Sequence, residues 1–345
     1  MSQAFILGAP RSGTTLLATL LDNHRGVYVS ENARALGLVQ AESELLKSIG
    51  PKGDVRRSPV ERVVQALGRR NERYSRLFKH ADVSSSDFRA LIAAAAANQA
   101  LAKGKQLWCD KEPNLIDHIP EISCLLPDSK LIHVIRDGRA VAASQRDRQY
   151  RDLYAAAHDW RRQLVVARFQ GAYIGPERYR EVRYERLLED PETTLQGLCA
   201  FLEIEWDPEM LQLDRHADAS DSQSYVGRKL DAGKSGGWRK KLSTKEQVRL
   251  EGLVGDMLID LGYGLNHVDR RGPFRAHTPL QHLYRKQLAI TRGLFRSERT
   301  VMKRRKLVKE RQPLSKRVRR FVGRTTSLWV ADSVLEAFRT HPRVP

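Results

Sequence analysis

The sequence predicts a three-layer α/β fold around a parallel sheet, with a basic, mainly helical C-terminal extension. Three observations carry this. Short apolar runs of strand length alternate with helix-period segments, the pattern of a parallel sheet with right-handed crossovers. Polar and glycine-rich clusters follow those runs, at the carboxyl ends of strands, where such sheets hold their ligands. Charge is segregated: residues 269–345 hold 21 Lys and Arg against 5 Asp and Glu, whereas residues 1–268 hold 39 against 36. The expected division is therefore a domain over 1–268 and an extension over 269–345.

Taken in order, Phe5 to Leu7 reads as a buried strand and Gly8 and Gly13 bracket a tight loop. Leu16, Leu17, Leu20 and Leu21 then mark one face of a helix. Gly26–Ser30 is a second strand, ending in Glu31-Asn32. From about Leu36 to Ala102 the chain reads as mainly helical, with a polar break at Gly50–Asp54. Ser86 is the expected N-cap of the alanine-rich run through Ala97. Gln106–Cys109 is a strand, Pro120–Leu126 a helix, and Lys130–Ile135 a β-branched strand expected at the centre of the sheet. Helices follow over Ala140 to about Arg148 and around Trp160–Phe169, then a strand over Tyr179–Tyr184. Asp190 caps a helix with Pro191 at its first position and Leu195, Leu198, Cys199 and Leu202 on its apolar face.

The 345 residues suffice for a full core. Cys109, Cys124 and Cys199 are odd in number and widely spaced, which suits a reducing compartment without structural zinc. The chain opens almost directly on a strand and holds no membrane-length apolar run, so neither a leader nor an anchor is expected.

The loop Gly8-Ala9-Pro10-Arg11-Ser12-Gly13-Thr14-Thr15 has the strand–loop–helix arrangement that aims backbone N–H groups at one anion. Its glycine spacing matches a nucleotide P-loop, but Thr14 occupies the lysine position and the cation sits inside the loop as Arg11. A phosphate-like group without metal-assisted triphosphate chemistry is the expectation. The plain alternative is a strand-turn-helix with no ligand. A second cluster combines Arg136, at the end of its strand, with Ser144 and Arg148, four apart on the following helix. On its own that reads as a salt-bridge network with Asp137 and Asp147; beside the Arg11 loop it reads as a second anion pocket.

The wording Gly8-Ala9-Pro10-Arg11-Ser12-Gly13-Thr14-Thr15-Leu16-Leu17 resembles the 5′-phosphosulfate loop of PAPS-dependent sulfotransferases. Val134-Ile135-Arg136-Asp137-Gly138-Arg139 through Ser144 resembles that family's 3′-phosphate motif. The resemblance covers roughly residues 4–262, is closest to the tyrosyl-protein and carbohydrate branches, and implies a P-loop-like sulfotransferase fold in a soluble, bacterial, cytoplasmic protein. It implies PAPS as cosubstrate, PAP as product and no metal. The implied nucleotide ligands are Arg11, Ser12, Gly13, Thr14, Thr15, Arg136, Ser144, Arg148 and Tyr184, the last in Tyr184-Glu185-Arg186-Leu187. A C-terminal loop, Arg228-Lys229 through Gly233-Lys234-Ser235-Gly236-Gly237-Trp238-Arg239, resembles the family's loop over the nucleotide. It adds Lys234, Ser235 and Trp238, with a surface turn anchored by the Trp as the alternative.

The chemistry so implied needs a base, a group to meet charge on the leaving phosphate, and alignment. Glu31 is the expected base, at the position of the glutamate used by the tyrosyl-protein branch; a capping or solvated carboxylate is the alternative. Glu112 is second, His118 third. Lys111, in Asp110-Lys111-Glu112-Pro113, resembles the family's D-K-x-P and is placed to bridge the leaving oxygen, with Arg11 beside it. The acceptor is a hydroxyl or amine on a glycan, tyrosyl peptide, phenol or lipid. The rivals are a P-loop kinase and a non-catalytic anion- or membrane-binding protein. For the extension, docked helices with a solvated basic face are expected; an anionic polymer or a membrane surface is the sharper alternative, and no nucleic-acid recognition motif occurs.

Overall fold

The computed structural model describes residues 3–30, 35, 37–41, 59–79, 87–149, 151–212, 230 and 235–267. The extension 269–345, the polar break at 50–54 and Ser86 lie outside the described residues. The chain divides into two compact units, Met1–Val141 with Gln163–Lys241, and Ala142–Arg162 with Leu242–Pro345.

The first unit holds a five-stranded sheet in the order β2-β3-β1-β4-β5, comprising β1 (Gln3–Leu7), β2 (Val27–Ser30), β3 (Leu107–Lys111), β4 (Lys130–Ile135) and β5 (Tyr179–Arg183). Every pairing is parallel, so no edge alternation marks a wet face and apolar side chains point both ways. Along β1, Ala4 and Ile6 enter one cluster with Leu16, Leu17, Leu20 and Leu21 of α1 (Thr14–Asp22). Phe5 and Leu7 enter the other, where Phe5 meets Trp108 edge to face at 5.8 Å. Period two on a strand thus makes the three layers.

The first cluster also takes α8 (Tyr184–Glu189) and α9 (Pro191–Leu202). The second takes α2 (Pro59–Arg70), α3 (Glu72–Leu77), α4 (Phe88–Leu101) and α5 (Ile119–Leu125). The remaining helices are α6 (Gly138–Gln149), α7 (Leu153–Ile174), α10 (Trp238–Lys241) and α11 (Thr244–Asp260).

Several expectations shift. The middle strand is β1, and Lys130–Ile135 is the interior strand beside it. Apolar composition marks burial on both faces, which any interior strand shares. The cap of the alanine-rich helix is Asp87, whose carboxylate accepts the N–H groups of Arg89 and Ala90 at 2.9 and 3.1 Å. Tyr184 opens a helix rather than closing a strand, and the helix around Trp160–Phe169 extends over Leu153–Ile174. Asp190 caps α9 as expected, accepting from the Thr193 N–H.

In the second unit, α11 begins with a capping box, Ser243 and Glu246 each holding the other's backbone N–H. Glu251, fully buried, accepts the backbone N–H groups of Asn266 and His267 at 2.8–3.1 Å, which holds the chain beyond α11 against it. Among the described residues no helix is long and apolar enough to cross a membrane.

Candidate active site

The turn after β1 is built by two glycines and one strained arginine. A Cβ on Gly8 would stand 2.7 Å from the Val134 carbonyl oxygen, so only glycine lets β1 leave the sheet this close to β4. Gly13 has φ 103°, and a Cβ there would meet the Tyr184 ring at 2.2 Å. Between them Arg11 holds φ 76°, a left-handed conformation costing a β-carbon-bearing residue roughly 1–3 kcal/mol. The Arg11 side chain is at the exposed rim of the turn, while Ser12 is buried. The Ser12 N–H closes the turn onto the Ala9 carbonyl at 3.0 Å.

Ser12 is 1% exposed, and among the described residues its hydroxyl has no hydrogen-bond partner. A buried hydroxyl without a partner is an uncompensated desolvation of roughly 1–3 kcal/mol. It marks the place where an acceptor atom is wanted. No side chain caps α1 either, so the amides of its first turn lack the usual substitute for the missing helical acceptors. Thr14 is buried and Thr15 half-buried beside them. The donor set, several N–H groups and hydroxyls with a nearby positive helix end, fits a polyoxygenated anion.

Two cations converge on this turn from neighbouring strands. Lys111 ends β3, one register step beyond the Phe5–Asp110 pair, and its Nζ lies 3.5 Å from Thr15 Oγ1. Arg136, directly after β4, donates from its guanidinium to the Arg11 carbonyl at 3.1 Å. The Cζ of that guanidinium lies over the Tyr184 ring, 4.2 Å from its centroid. Tyr184 therefore packs on Gly13 and carries Arg136. The second basic cluster expected around Arg136 begins at the rim of the first.

Ser144 and Arg148 lie one turn apart on α6, Ser144 half-buried and Arg148 exposed. Ser235 and Trp238 belong to the segment that ends in α10; Trp238 is buried, with the Arg139 guanidinium 4.4 Å and that of Arg239 4.7 Å from its ring centroid. Glu31, Lys234 and the pair Arg228-Lys229 lie outside the described residues. Of the other proposed bases, Glu112 is mostly buried and accepts from Asn114 Nδ2 at 3.3 Å, while its N–H binds the Ile6 carbonyl. His118 pairs with Glu121 at 3.4 Å; that hydrogen bond raises the imidazole pKa against the opposing effect of burial.

Sequence reasoning gave no role to Arg139 or Glu185 and offered Asp137 only as part of a salt-bridge network. Asp137 binds Arg139 through Nε and NH2 at 3.1 and 2.9 Å, both nearly inaccessible, and Glu185 accepts the Asp137 N–H at 3.0 Å. The signal available was the pair of opposite charges two apart in Arg136-Asp137-Gly138-Arg139, on a turn leaving an interior strand.

A glycine-bracketed turn after the first strand of a parallel sheet, with basic residues from the two flanking strands, is an arrangement that suits a phosphate- or sulfate-bearing ligand. A model of the Sulfotransferase family matches residues 3–208, and the chain belongs to that family. It is 28% identical over 221 residues to Protein-tyrosine sulfotransferase 2 of Gallus gallus, covering 61% of this chain and 53% of that protein. Protein-tyrosine sulfotransferase A of Caenorhabditis elegans is 24% identical over 244 residues, covering 66% and 56%. The chain thus spans about half the length of the curated relatives it matches. Among solved structures, the sulfotransferase domain from the curacin biosynthetic pathway is 20% identical, with 76% of this chain and 98% of that one covered and a TM-score of 0.49.

Proposed function

We propose that the chain transfers the sulfuryl group of PAPS to a hydroxyl acceptor and releases PAP, in line and without a metal. The observation that carries this is the Ser12 hydroxyl, buried and without a partner among the described residues, in a turn bracketed by Gly8 and Gly13. Lys111 and Arg136 reach the same turn. PAPS supplies, when bound, a sulfuryl group activated by a 5′-phosphate leaving group. The turn amides with Arg11, Ser12, Gly13, Thr14 and Thr15 would hold that end, and the fixed donors need no reorganisation as charge develops. Lys111 would neutralise charge on the bridging oxygen. Arg136, Ser144 and Arg148, with Tyr184 beneath Arg136 and Lys234, Ser235 and Trp238 from the later loop, would hold the 3′-phosphate end.

Glu31 is proposed as the base. It follows Ser30, which pairs with Asp110 in β3, the residue before Lys111. Glu112, which accepts a hydrogen bond from Asn114, is the alternative. The acceptor is proposed to be a tyrosyl or other phenolic hydroxyl, because the relatives named above are protein-tyrosine sulfotransferases. Residues 1–268 are assigned the chemistry. For the basic extension 269–345, contact with an anionic polymer or membrane surface is the sharper alternative to a solvated basic face, in a protein proposed to be cytoplasmic.

The test is transfer of label from radiolabelled PAPS to panels of tyrosyl peptides, phenols, glycans and lipids, beside a thermal-shift panel. Label on the tyrosyl or phenol panel, with stabilisation by PAP and none by ATP with magnesium, is expected. Stabilisation by ATP with magnesium instead would indicate a kinase. PAP binding with no transfer to any panel would indicate a binding protein.

A further inference from the structure

We propose that Arg139 is a positioning residue that docks the Trp238 segment onto the turn bearing Arg136, so that the Arg139–Trp238 stack sets nucleotide affinity. The inference rests on the proposal that this site binds PAP.

The side chain of Arg139 is 1% exposed and is engaged on the protein side by Asp137 and Trp238. Its charge is met by Asp137 through Nε at 3.1 Å and NH2 at 2.9 Å, and Asp137 also accepts the Arg139 backbone N–H at 2.8 Å. Buried ion pairs are weak contributors to stability, and apolar replacements of similar shape are often tolerated. Fold stability alone is a poor reason for a guanidinium here. Geometry supplies a better one. A planar cation can hold a carboxylate by its edge and an indole by its face at once. Arg139 holds the Asp137 carboxylate, and its Cζ lies over the Trp238 ring at 4.4 Å from the centroid.

The consequence runs in two directions. Toward the sheet, Asp137 is held at its side chain by Arg139 and at its backbone N–H by Glu185. The residue just before it is Arg136, so the backbone from which that guanidinium projects is fixed on both sides. Glu185 follows Tyr184, whose ring supports the Arg136 guanidinium and fills the space beside Gly13. Toward the C-terminal segment, Trp238 is 4% exposed and is followed at once by Arg239, Lys240 and Lys241. The Arg139–Trp238 contact therefore ties a basic segment to the turn that carries Arg136, through one buried cation already paired with Asp137.

The experiment uses the full-length chain. PAP affinity is measured by calorimetry, and KM for PAPS and kcat by label transfer, for wild type, Arg139→Lys, Trp238→Leu and Trp238→Phe, each with its thermal midpoint. Lysine keeps the charge and loses the planar face; phenylalanine keeps an aromatic face. Arg139→Lys and Trp238→Leu are expected to weaken PAP binding about tenfold, Arg139→Lys chiefly by raising KM for PAPS with kcat little changed, and Trp238→Phe to bind within about threefold of wild type. Folded Arg139→Lys or Trp238→Leu binding PAP as wild type does, with only the thermal midpoint lowered, would overturn the inference. So would a fall in kcat with unchanged affinity. If Trp238→Leu does not fold, Arg139→Lys alone decides. Wild type that fails to bind PAP would instead overturn the functional proposal underneath, a result that no variant can mimic.

Discussion

Gly13 shows how one residue can hold a site open. Its φ of 103° and the 2.2 Å approach of the Tyr184 ring both exclude a side chain. Gly13→Ala should cost about 2 kcal/mol or more and displace the ring under Arg136, read as a lower thermal midpoint with weaker PAP binding. An unchanged midpoint would mean that the turn relaxes freely. At Glu31 the expectation is kinetic. Glu31→Gln should bind PAP as wild type does while turnover falls by about two to four decades, measured by label transfer. Wild-type turnover would pass the role of base to Glu112. The turn was legible in sequence because glycine spacing and small hydroxyl residues have few other uses together. Arg139 was not, because a charged residue four places after a strand reads as solvated until its depth is known.

Elements were legible wherever one period dominates. The β1 run and the leucine face of α1 came out as expected, as did the Asp190 cap with Pro191 behind it. Order across the sheet was not, since β1 and β4 are both buried on both faces and composition does not rank them. The cap at Asp87 instead of Ser86 has the same cause: both residue types cap, and only backbone geometry chooses. For α11 the capping box makes a direct prediction. Ser243→Ala should lower stability by about 1 kcal/mol in denaturant unfolding, with unchanged slope. Glu246 is held below the ordinary carboxylate range, chiefly by the Ser243 N–H, so its contribution is present above the unfolded value near 4.5 and is lost on acidification through its folded value.

At the scale of the whole molecule, one buried base among the described residues contributes to the expected acid response. His133 on β4 sits against Tyr179, with Nδ1 2.5 Å from the phenol oxygen. Burial, assisted by the charge of Arg168, lowers its pKa from 6.5 to about 3. The unfolded chain therefore binds a proton below pH 6.5 that the folded chain refuses until about pH 3. Stability should rise with pH across that window, by at most about 1.4 kcal/mol per unit for this one proton, and level off above it. His133→Gln should flatten that slope in unfolding measured from pH 4 to 7; a slope unchanged by the substitution would assign the acid response elsewhere. The network of His133, Tyr179, Glu181 and Arg168 was invisible in sequence because its members lie on three separate elements.

The central claim is that one nucleotide is gripped by the turn after β1 and by the basic residues beginning at Arg136. It is tested most directly by calorimetric titration of the wild-type chain with PAP and with adenosine 5′-phosphate, with Arg136→Ala as control. PAP should bind at least about tenfold more tightly than the monophosphate, and the control should lose that margin. Equal affinity for the two nucleotides, or a margin that survives Arg136→Ala, would contradict the account.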